Sequence, residues 1–353
     1  MGNKIEVSYV TTLPKEGNAP RISIIGTDIQ TYSIEITNEE SGIEYGEYEC
    51  NTNEVLIPRL PQWYIPWKIK IRSNDGLLVS IDSLKNGLKN SVVFIKVDAW
   101  ALGDTIAWIP YIEAFRVKHG CKVICSTFHN FLFTKAYPKI MFLVPNIQID
   151  NVYTQYYIGA TNEDNKYYSP IKVNQNPLQK VASEILGLDY IEMRPDLGSQ
   201  ISHIKPRVEG KYVCLSEYGS DVRKHWVAEN GWQMVVDKLN EIGYKVLVIS
   251  KEPTTLTGVV DLTGNINLIE RMIDLRYAEF FIGVSSGLSW LSWAVGTHTV
   301  MISDVTPNWH EFQTDITRIN CNDLDEVNYS VETKTDSEKV VKIIEELGVS
   351  RYL

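Results

Sequence analysis

Apolar runs of strand length alternate with segments of helical spacing over most of the chain, and this alternation constrains the fold more than any other feature. The first unit joins the apolar run 91–97 to a helical pattern at 106–116, and a second series begins at 212–216. Strands that alternate with helices in this way form parallel sheets. The sequence therefore predicts two Rossmann-like halves, which we place at residues 91–200 and 201–353.

The first 90 residues have a different pattern. Short β-forming segments at 21–25, 31–36 and 67–71 are separated by glycine, asparagine and proline signals, with no helical pattern between them. Residues 1–90 are therefore predicted to form an all-β domain, a small barrel or a sandwich. The fold class is α/β, with this all-β domain at the N-terminus. A polar stretch with two prolines and a glycine, 195–206, is the predicted hinge between the halves.

Composition narrows the classes of partner. The net charge of -10 argues against nucleic acid, because nucleic-acid binders normally carry a basic surplus on one face. The chain has no apolar stretch near the roughly 20 residues that cross a bilayer, and its start lacks the pattern of a secretory signal. We therefore expect no membrane span and a cytoplasmic location. Five scattered cysteines fit reduced thiols better than a disulfide framework.

The turn Ser285-Ser286-Gly287-Leu288-Ser289 follows an apolar strand and leads into an apolar helix. A strand, a turn of small residues and a helix start direct free amide groups toward one point, which favours an anion such as a pyrophosphate. The serines could equally be helix caps, with Gly287 serving close packing. The chain lacks a Gly-x-Gly-x-x-Gly pattern and a Walker lysine, so the sequence gives dehydrogenases and P-loop proteins little support.

Asp104 follows the first α/β strand, in a glycine-containing turn before a helix. A carboxylate at this position would face a cleft between the two halves, where ligands collect at the carboxyl ends of the strands. It could act as a base that takes a proton from an acceptor hydroxyl. The alternative is an ordinary helix N-cap.

Lys224 lies past the first strand of the second half, between Arg223 and His225. A fixed cation there would stabilise the charge that develops when a nucleoside diphosphate departs. A solvated basic cluster is the alternative. Glu252, after the strand at 245–250, could bind ribose hydroxyls, and Trp100 could stack against a sugar or an acceptor.

Four segments carry a resemblance to a known family: Ala101-Leu-Gly-Asp-Thr-Ile-Ala-Trp-Ile-Pro110, 122–128, 248–253 and 279–291. They resemble bacterial autotransporter heptosyltransferases and, more distantly, lipopolysaccharide heptosyltransferases, which share the GT-B fold. The resemblance implies transfer of heptose from ADP-heptose to serine hydroxyls of a protein, with inversion and without a metal in the chemistry. It also implies an N-terminal β-rich domain, which agrees with the reading of residues 1–90.

The resemblance assigns roles to residues. Asp104 matches the catalytic aspartate of the family, and Lys224 matches its phosphate-binding lysine. The predicted catalytic residues are therefore Asp104 and Lys224. The predicted donor-binding residues are Gly103, Thr105, Ser220, Lys251, Glu252, Ser285, Ser286, Gly287, Leu288 and Ser289.

One departure from the family concerns a metal. Autotransporter heptosyltransferases carry a four-cysteine iron-binding finger after the last Rossmann strands, whereas this chain has only Cys321 beyond Met301. One cysteine cannot build that site. We therefore predict no metal site and no cofactor beyond the nucleotide-sugar donor, while the sequence leaves a homo-oligomer open.

Two other functions remain compatible with the sequence. A glycan-directed transferase would use the same donor with a sugar acceptor. A non-catalytic sugar-nucleotide-binding protein would keep its function when Asp104 is replaced by Asn.

Overall fold

The computed structural model describes residues 3–10, 19–97, 99–147, 149–159 and 168–350. Within them, seven strands precede the first α/β unit and form two antiparallel sheets. These strands are β1 (Lys4–Ser8), β2 (Arg21–Ile25), β3 (Thr31–Asn38), β4 (Glu44–Asn51), β5 (Val55–Leu56), β6 (Trp67–Arg72) and β7 (Leu78–Ser83). The sheet orders are β1-β2-β5 and β4-β3-β6-β7, and the short helix α1 (Leu84–Leu88) follows.

Alternate residues along the central strands of the larger sheet point inward. Trp67, Ile69 and Ile71 of β6 are buried, as are Ile34 and Ile36 of β3. This period of two is what a sheet with one covered face produces. The antiparallel sheets agree with the β-rich character predicted for this region, while the domain boundaries at 90 and 200 stay predictions.

The next sheet is parallel and has the order β10-β9-β8-β11. Its elements are β8 (Val92–Val97), α2 (Leu102–His119), β9 (Lys122–Thr127), α3 (Asn130–Phe133), β10 (Ile140–Leu143), β11 (Thr154–Tyr157) and, beyond it, α4 (Leu178–Ile185). The sequence pattern predicts a helix over 128–137, but only 130–133 are helical. We call this region the acceptor half, after the role that the resemblance implies for it.

The second parallel sheet has six strands in the order β14-β13-β12-β15-β16-β17. Its elements are β12 (Tyr212–Ser216), α5 (Gly231–Glu241), β13 (Lys245–Val248), β14 (Val260–Asp261), α6 (Leu268–Arg276), β15 (Phe281–Val284), α7 (Gly287–Ala294), β16 (Thr299–Ile302), β17 (Ile316–Ile319) and α8 (Ser337–Ser350). The sequence pattern predicts a last helix from Ser337 to Leu347 that ends at Gly348, and this is wrong, since α8 continues to Ser350. We call this region the donor half, again after the role that the resemblance implies.

The two halves meet where α2 and α7 begin. A Cβ atom added to Gly103 would lie 2.7 Å from Cδ1 of Trp290, and one added to Gly287 would lie 2.8 Å from Cβ of Leu102. Contacts this short are not tolerated, so each helix start needs a glycine for the other to approach. The predicted packing role of Gly287 is therefore present, beside any role in binding.

The predicted hinge contains the 3₁₀ turn Gly198–Ile201. The amide of Leu197 donates to the carbonyl of Ala294 at 3.2 Å, and Arg194 pairs with Asp315, so this stretch contacts the donor half. A hinge at this point stays a prediction. No helix in the described ranges is long and apolar enough to cross a membrane.

Candidate functional site

A cavity of about 230 Å³ lies between the two halves, at the point where α2 and α7 begin. Both halves contribute to its wall. The lining residues are Ala101, Leu102, Gly103, Asp104, Val173, Asn174, Leu178, Ser220, Lys224, Ser285, Ser286, Gly287, Trp290, His310, Glu311, Val327 and Tyr329. Seven predicted site residues, from three separate segments of the chain, are thus brought to one place.

Asp104 lies inside the first turn of α2. The alternative that it caps the helix is wrong, because the N-cap residue is Ala101, whose backbone is extended. No hydrogen bond from another described residue reaches the Asp104 carboxylate. Burial raises its pKa to about 6, and the charge of Lys224 acts in the opposite direction. A carboxylate with this pKa is ionised at neutral pH and can still accept a proton, as a general base requires.

Lys224 ends the short turn Val222–Lys224, which the side chain of Asp221 caps by accepting from the amide of Arg223. Arg223 is engaged elsewhere: its guanidinium pairs with Asp221 at 2.6 Å and lies 4.1 Å from the ring centre of Tyr329. Lys224 also lies over this ring, at 5.9 Å, but it is half-buried against the cavity and forms no salt bridge with a described residue. It therefore supplies the positive charge on the donor wall, which does not fit a fully solvated basic cluster.

The start of α7 has no side-chain cap. Ser286 occupies the N-cap position, but its hydroxyl makes no capping bond, and this buried Oγ has no hydrogen-bond partner in the described chain. Ser285 donates instead to Glu311 at 2.6 Å. The first amide groups of α7 thus face the cavity side without a capping oxygen, the arrangement in which helix starts bind anions.

Five predicted donor-binding residues do not line this cavity. Thr105 and Ser289 are buried and bond to backbone carbonyls within their own segments, those of Ala101 and Val284. Leu288 is partly buried. The remaining two, Lys251 and Glu252, lie exposed after β13, and their predicted contact with a ribose stays a prediction.

A buried ion pair that the sequence reading missed lies behind the Ser-Gly turn. Glu311 accepts hydrogen bonds from Ser285, from Thr306 at 3.3 Å and from the guanidinium of Arg318. Burial alone would raise the pKa of Glu311, but the charges of Arg318 and His310, with the bonds from Ser285 and Arg318, lower it to about 2. Glu311 is therefore a permanent anion that fixes the Ser285 side chain.

His310, beside Glu311, was also missed. These residues come from the loop after β16, where no glycine-rich turn or strand-end motif marks a site. The signal that could have been used is a His-Glu pair within ten residues after an α/β strand. Only the packing of that loop against α4 brings it to the cavity: the carbonyl of His310 accepts from the amide of Leu178 at 2.8 Å.

Trp100 is 77% exposed and stacks on Phe128, with ring centres 3.7 Å apart. It lies outside the cavity lining, on the acceptor half. The tryptophans at 108, 290 and 293 are buried, as core packing predicts.

The described residues do not fit a cysteine-ligated iron site. Cys50, Cys121, Cys125 and Cys214 are buried, Cys321 is exposed, and none of the five is in a disulfide bond. No group of three or more histidine, cysteine, aspartate or glutamate side chains in the described ranges could hold a metal ion. We therefore assign no step to iron, and the loss of the finger stays a prediction.

Two parallel α/β halves that bring a carboxylate, a lysine without a salt bridge to any described residue, and an uncapped helix start to one cavity define a GT-B glycosyltransferase. Residues 178–310 match the family model for glycosyltransferase family 9 (heptosyltransferase). The chain is also 32% identical to the autotransporter heptosyltransferase Aah of Escherichia coli over 295 residues, which are 80% of this chain and 74% of Aah. The chain belongs to the autotransporter heptosyltransferase family, which confirms the resemblance found in the sequence.

Two further relatives bear on the site. TibC of Escherichia coli O78:H11 is 30% identical over 75% of this chain and 67% of its own length. The crystal structure of TibC, a dodecameric iron-containing heptosyltransferase in complex with ADP-D-β-D-heptose, superposes with a TM-score of 0.81 over 99% of this chain and 97% of TibC, at 22% identity. BimC of Burkholderia thailandensis, described as an inactive autotransporter heptosyltransferase, is 29% identical over 65% of this chain and 56% of BimC.

Proposed function

We propose that this chain transfers a heptose from ADP-heptose to serine hydroxyls of an acceptor protein, with inversion at the anomeric carbon and without a metal ion in the chemistry. The observation that carries the proposal is the cavity in which Asp104, Lys224 and the start of α7 meet. The ADP-heptose complex of TibC supports this choice of donor.

In the proposed reaction, the Asp104 carboxylate takes the proton of the acceptor hydroxyl. The hydroxyl oxygen forms a bond to the anomeric carbon while the bond from that carbon to the diphosphate oxygen breaks. Attack from the face opposite the leaving group inverts the anomeric carbon. Asp104 and Lys224 belong to different halves of the molecule, which suits a base and a leaving-group contact on opposite sides of the sugar.

Lys224 and the start of α7 would stabilise the departing ADP. The charge that builds on the diphosphate is met by a lysine without a salt bridge among the described residues and by amide groups at a helix start. This charge could otherwise be met by a divalent cation, so the metal-independent reaction rests on these two groups. Added EDTA should leave the rate unchanged, and a loss restored by a divalent cation would contradict this part of the proposal.

The remaining assignments follow from the sequence and the relatives. We propose that Lys251 and Glu252 contact the nucleoside, that residues 1–90, 91–200 and 201–353 are separate domains, and that the chain works in the cytoplasm. A homo-oligomer is also proposed, because the TibC crystal structure is dodecameric. Light scattering of the purified chain tests it, and a single species of 40.2 kDa would contradict it.

The decisive experiment incubates the purified chain with ADP-heptose and an autotransporter passenger domain, then measures the intact mass of the acceptor. We expect the mass to increase by whole heptose residues, with the sugars mapped to serines by fragmentation. Labelling of a glycan and not of the protein would favour the glycan-directed transferase.

A non-catalytic role has one specific observation in its favour, the description of BimC as inactive. It predicts that the wild-type chain binds ADP-heptose and modifies no acceptor. A calorimetric titration run beside the mass measurement separates this outcome from a chain that does not bind the donor.

A further inference from the structure

An exposed aromatic pair lies beside the cavity and has no role in the steps above. Trp100 is 77% exposed, and its indole stacks on the ring of Phe128, with the ring centres 3.7 Å apart and the planes 19° from parallel. Phe128 covers one face of the indole, and the exposed fraction places the other face in water. An indole left this exposed forgoes the burial that tryptophan normally gains, which is typical of a surface that contacts a partner.

The fold holds this indole in place. Trp100 lies in the loop between β8 and α2, and Phe128 lies in the loop after β9, so both follow the carboxyl ends of neighbouring parallel strands. The ring of His129 donates from Nε2 to the carbonyl oxygen of Trp100 at 3.2 Å, which joins the two loops. An aromatic side chain that is already held loses little conformational freedom when a partner binds.

The pair lies on the side of the cavity that carries the base. Ala101, the residue after Trp100, is exposed and lines the cavity, and consecutive Cα atoms are only about 3.8 Å apart. Asp104 follows in the first turn of α2. The positive groups of the opposite wall, Lys224 and the start of α7, belong to the donor half. The indole is therefore close to the point where an acceptor hydroxyl would meet Asp104.

The size of the cavity limits what can enter it. Its volume of about 230 Å³ suits one small ligand, and the proposed reaction places the sugar and diphosphate of the donor there. An acceptor protein can therefore insert only a short side chain, such as that of a serine. The polypeptide on either side of that serine has to lie outside, on the rim of the cavity next to the base.

We propose that the free face of the Trp100 indole, supported by Phe128, is the docking surface for the acceptor polypeptide. An extended, uncharged segment next to the reacting serine would lay its peptide groups and aliphatic carbons on the ring. Tryptophan is enriched among the residues that carry most of the energy of a protein–protein contact. This inference rests on the proposed function, because it needs a protein acceptor, and it adds the place where that acceptor binds.

The test compares acceptors of different size. The whole chain is assayed at saturating ADP-heptose with an autotransporter passenger domain and with N-acetylserine amide, which offers the hydroxyl without a flanking chain. In Trp100→Ala we expect kcat/KM for the passenger domain to fall about five- to thirtyfold, as for one lost tryptophan contact, while kcat is unchanged. The small amide does not extend to the rim, so its kcat/KM should stay the same.

Two further variants separate a contact from a structural effect. Trp100→Phe keeps a ring on Phe128 and should retain most of the wild-type kcat/KM. Val117→Ala removes another exposed apolar side chain, near the far end of α2, and should change transfer to neither acceptor. The calorimetric affinity for ADP-heptose should be the same in all three variants. If the wild type does not turn over the amide, the unchanged kcat for the passenger domain makes the same distinction.

Two outcomes contradict the proposal. An unchanged kcat/KM for the passenger domain in Trp100→Ala would mean that the acceptor docks elsewhere. A fall in kcat, an equal loss for both acceptors or a weaker affinity for ADP-heptose would mean that Trp100 shapes the turn at Asp104 or the donor site. A wild-type chain that modifies no protein would overturn the proposed function itself, and the wild-type assay alone reveals that failure.

Discussion

The cavity has a carboxylate on each of its two walls, the half-buried Asp104 and the buried Glu311, and the two differ in nearly every respect. Asp104, on the acceptor half, receives no hydrogen bond from a described residue, and burial raises its pKa to about 6. Glu311, on the donor half, receives hydrogen bonds from Ser285 and Thr306 and forms an ion pair with Arg318, and its pKa falls to about 2. One carboxylate can exchange a proton near neutral pH, and the other cannot.

The difference shows how one cavity holds two kinds of acid. Desolvation acts on both side chains in the same direction, so burial alone does not decide their roles. The deciding factor is whether an opposite charge offsets the cost of burying the carboxylate, which we call compensation. Arg318 forms an ion pair with Glu311, whereas Lys224 acts on Asp104 without a salt bridge. A compensated carboxylate organises the wall, and an uncompensated one is available for chemistry.

The largest effect should come from removing the base. In Asp104→Asn we expect the rate of heptose transfer to fall about 10²- to 10⁴-fold, because general base catalysis contributes that much, while affinity for ADP-heptose is retained. Single-turnover transfer and calorimetric titration measure the two quantities. Glu113→Gln, on the same helix but paired with Arg116, is the control and should transfer normally. Full transfer activity in Asp104→Asn would end the assignment of the base.

Replacing Glu311 should lower the free energy of unfolding. Glu311→Ala leaves Arg318 as a buried charge without its partner, which costs about 3–5 kcal/mol of the free energy of unfolding. Urea unfolding at pH 7 measures this loss. Glu40→Ala, which breaks the exposed pair with Lys85, should cost less than about 1 kcal/mol. Equal small losses in both variants would show that Glu311 does not stabilise the donor wall.

Lys224→Ala tests the positive charge on the wall opposite Asp104. We expect kcat/KM to fall about 10²-fold, because the charge on the departing diphosphate loses its cation. The adjacent Arg223→Ala is the matched control and should change kcat/KM little, since Arg223 is already paired with Asp221. Similar losses in both variants would favour a diffuse electrostatic role.

Lys224 also lowers the pKa of Asp104, so the same variant should change the pH profile. In the wild type, kcat/KM should rise with pH through about 6 and then level off. In Lys224→Ala this limb should move to higher pH. An unmoved limb would show that another group than Asp104 titrates.

The sequence predicts the strands that are apolar runs, and it does not reveal the strands that are mostly polar. The strands β12 and β15 are buried at every position, and β8 is apolar except for Lys96. By contrast, β4 reads Glu-Tyr-Gly-Glu-Tyr-Glu-Cys-Asn with only Cys50 buried, and β11 reads Thr-Gln-Tyr-Tyr. Their pairing partners, and not their composition, make them strands.

The candidate site also has residues that the sequence predicts and residues that it does not. Asp104, Lys224 and the turn at 285–287 each follow a strand, so their position at a sheet edge could be inferred from the sequence. Glu311 acts through Ser285, 26 residues earlier in the chain, and His310 through the packing of its loop on α4. Contacts of this kind depend on tertiary packing, which no local pattern reveals.

The smallest expected effect concerns stability and follows from the raised pKa of Asp104. The folded-state pKa of about 6 lies above the unfolded value near 3.9, so between these values the folded chain holds more protons. The contribution of Asp104 to the free energy of unfolding therefore decreases as pH rises from about 4 to about 6 and stays low above that.

Asp104→Asn removes the half-buried charge and should be more stable than the wild type at pH 7. We expect a gain of about 1–2 kcal/mol, which is moderate because the cavity leaves the carboxylate partly hydrated. Urea unfolding at pH 7 and at pH 4 measures the difference, which should shrink at the lower pH. A variant that is less stable than the wild type at pH 7 would show that the Asp104 carboxylate is compensated after all, and the contrast with Glu311 would fail.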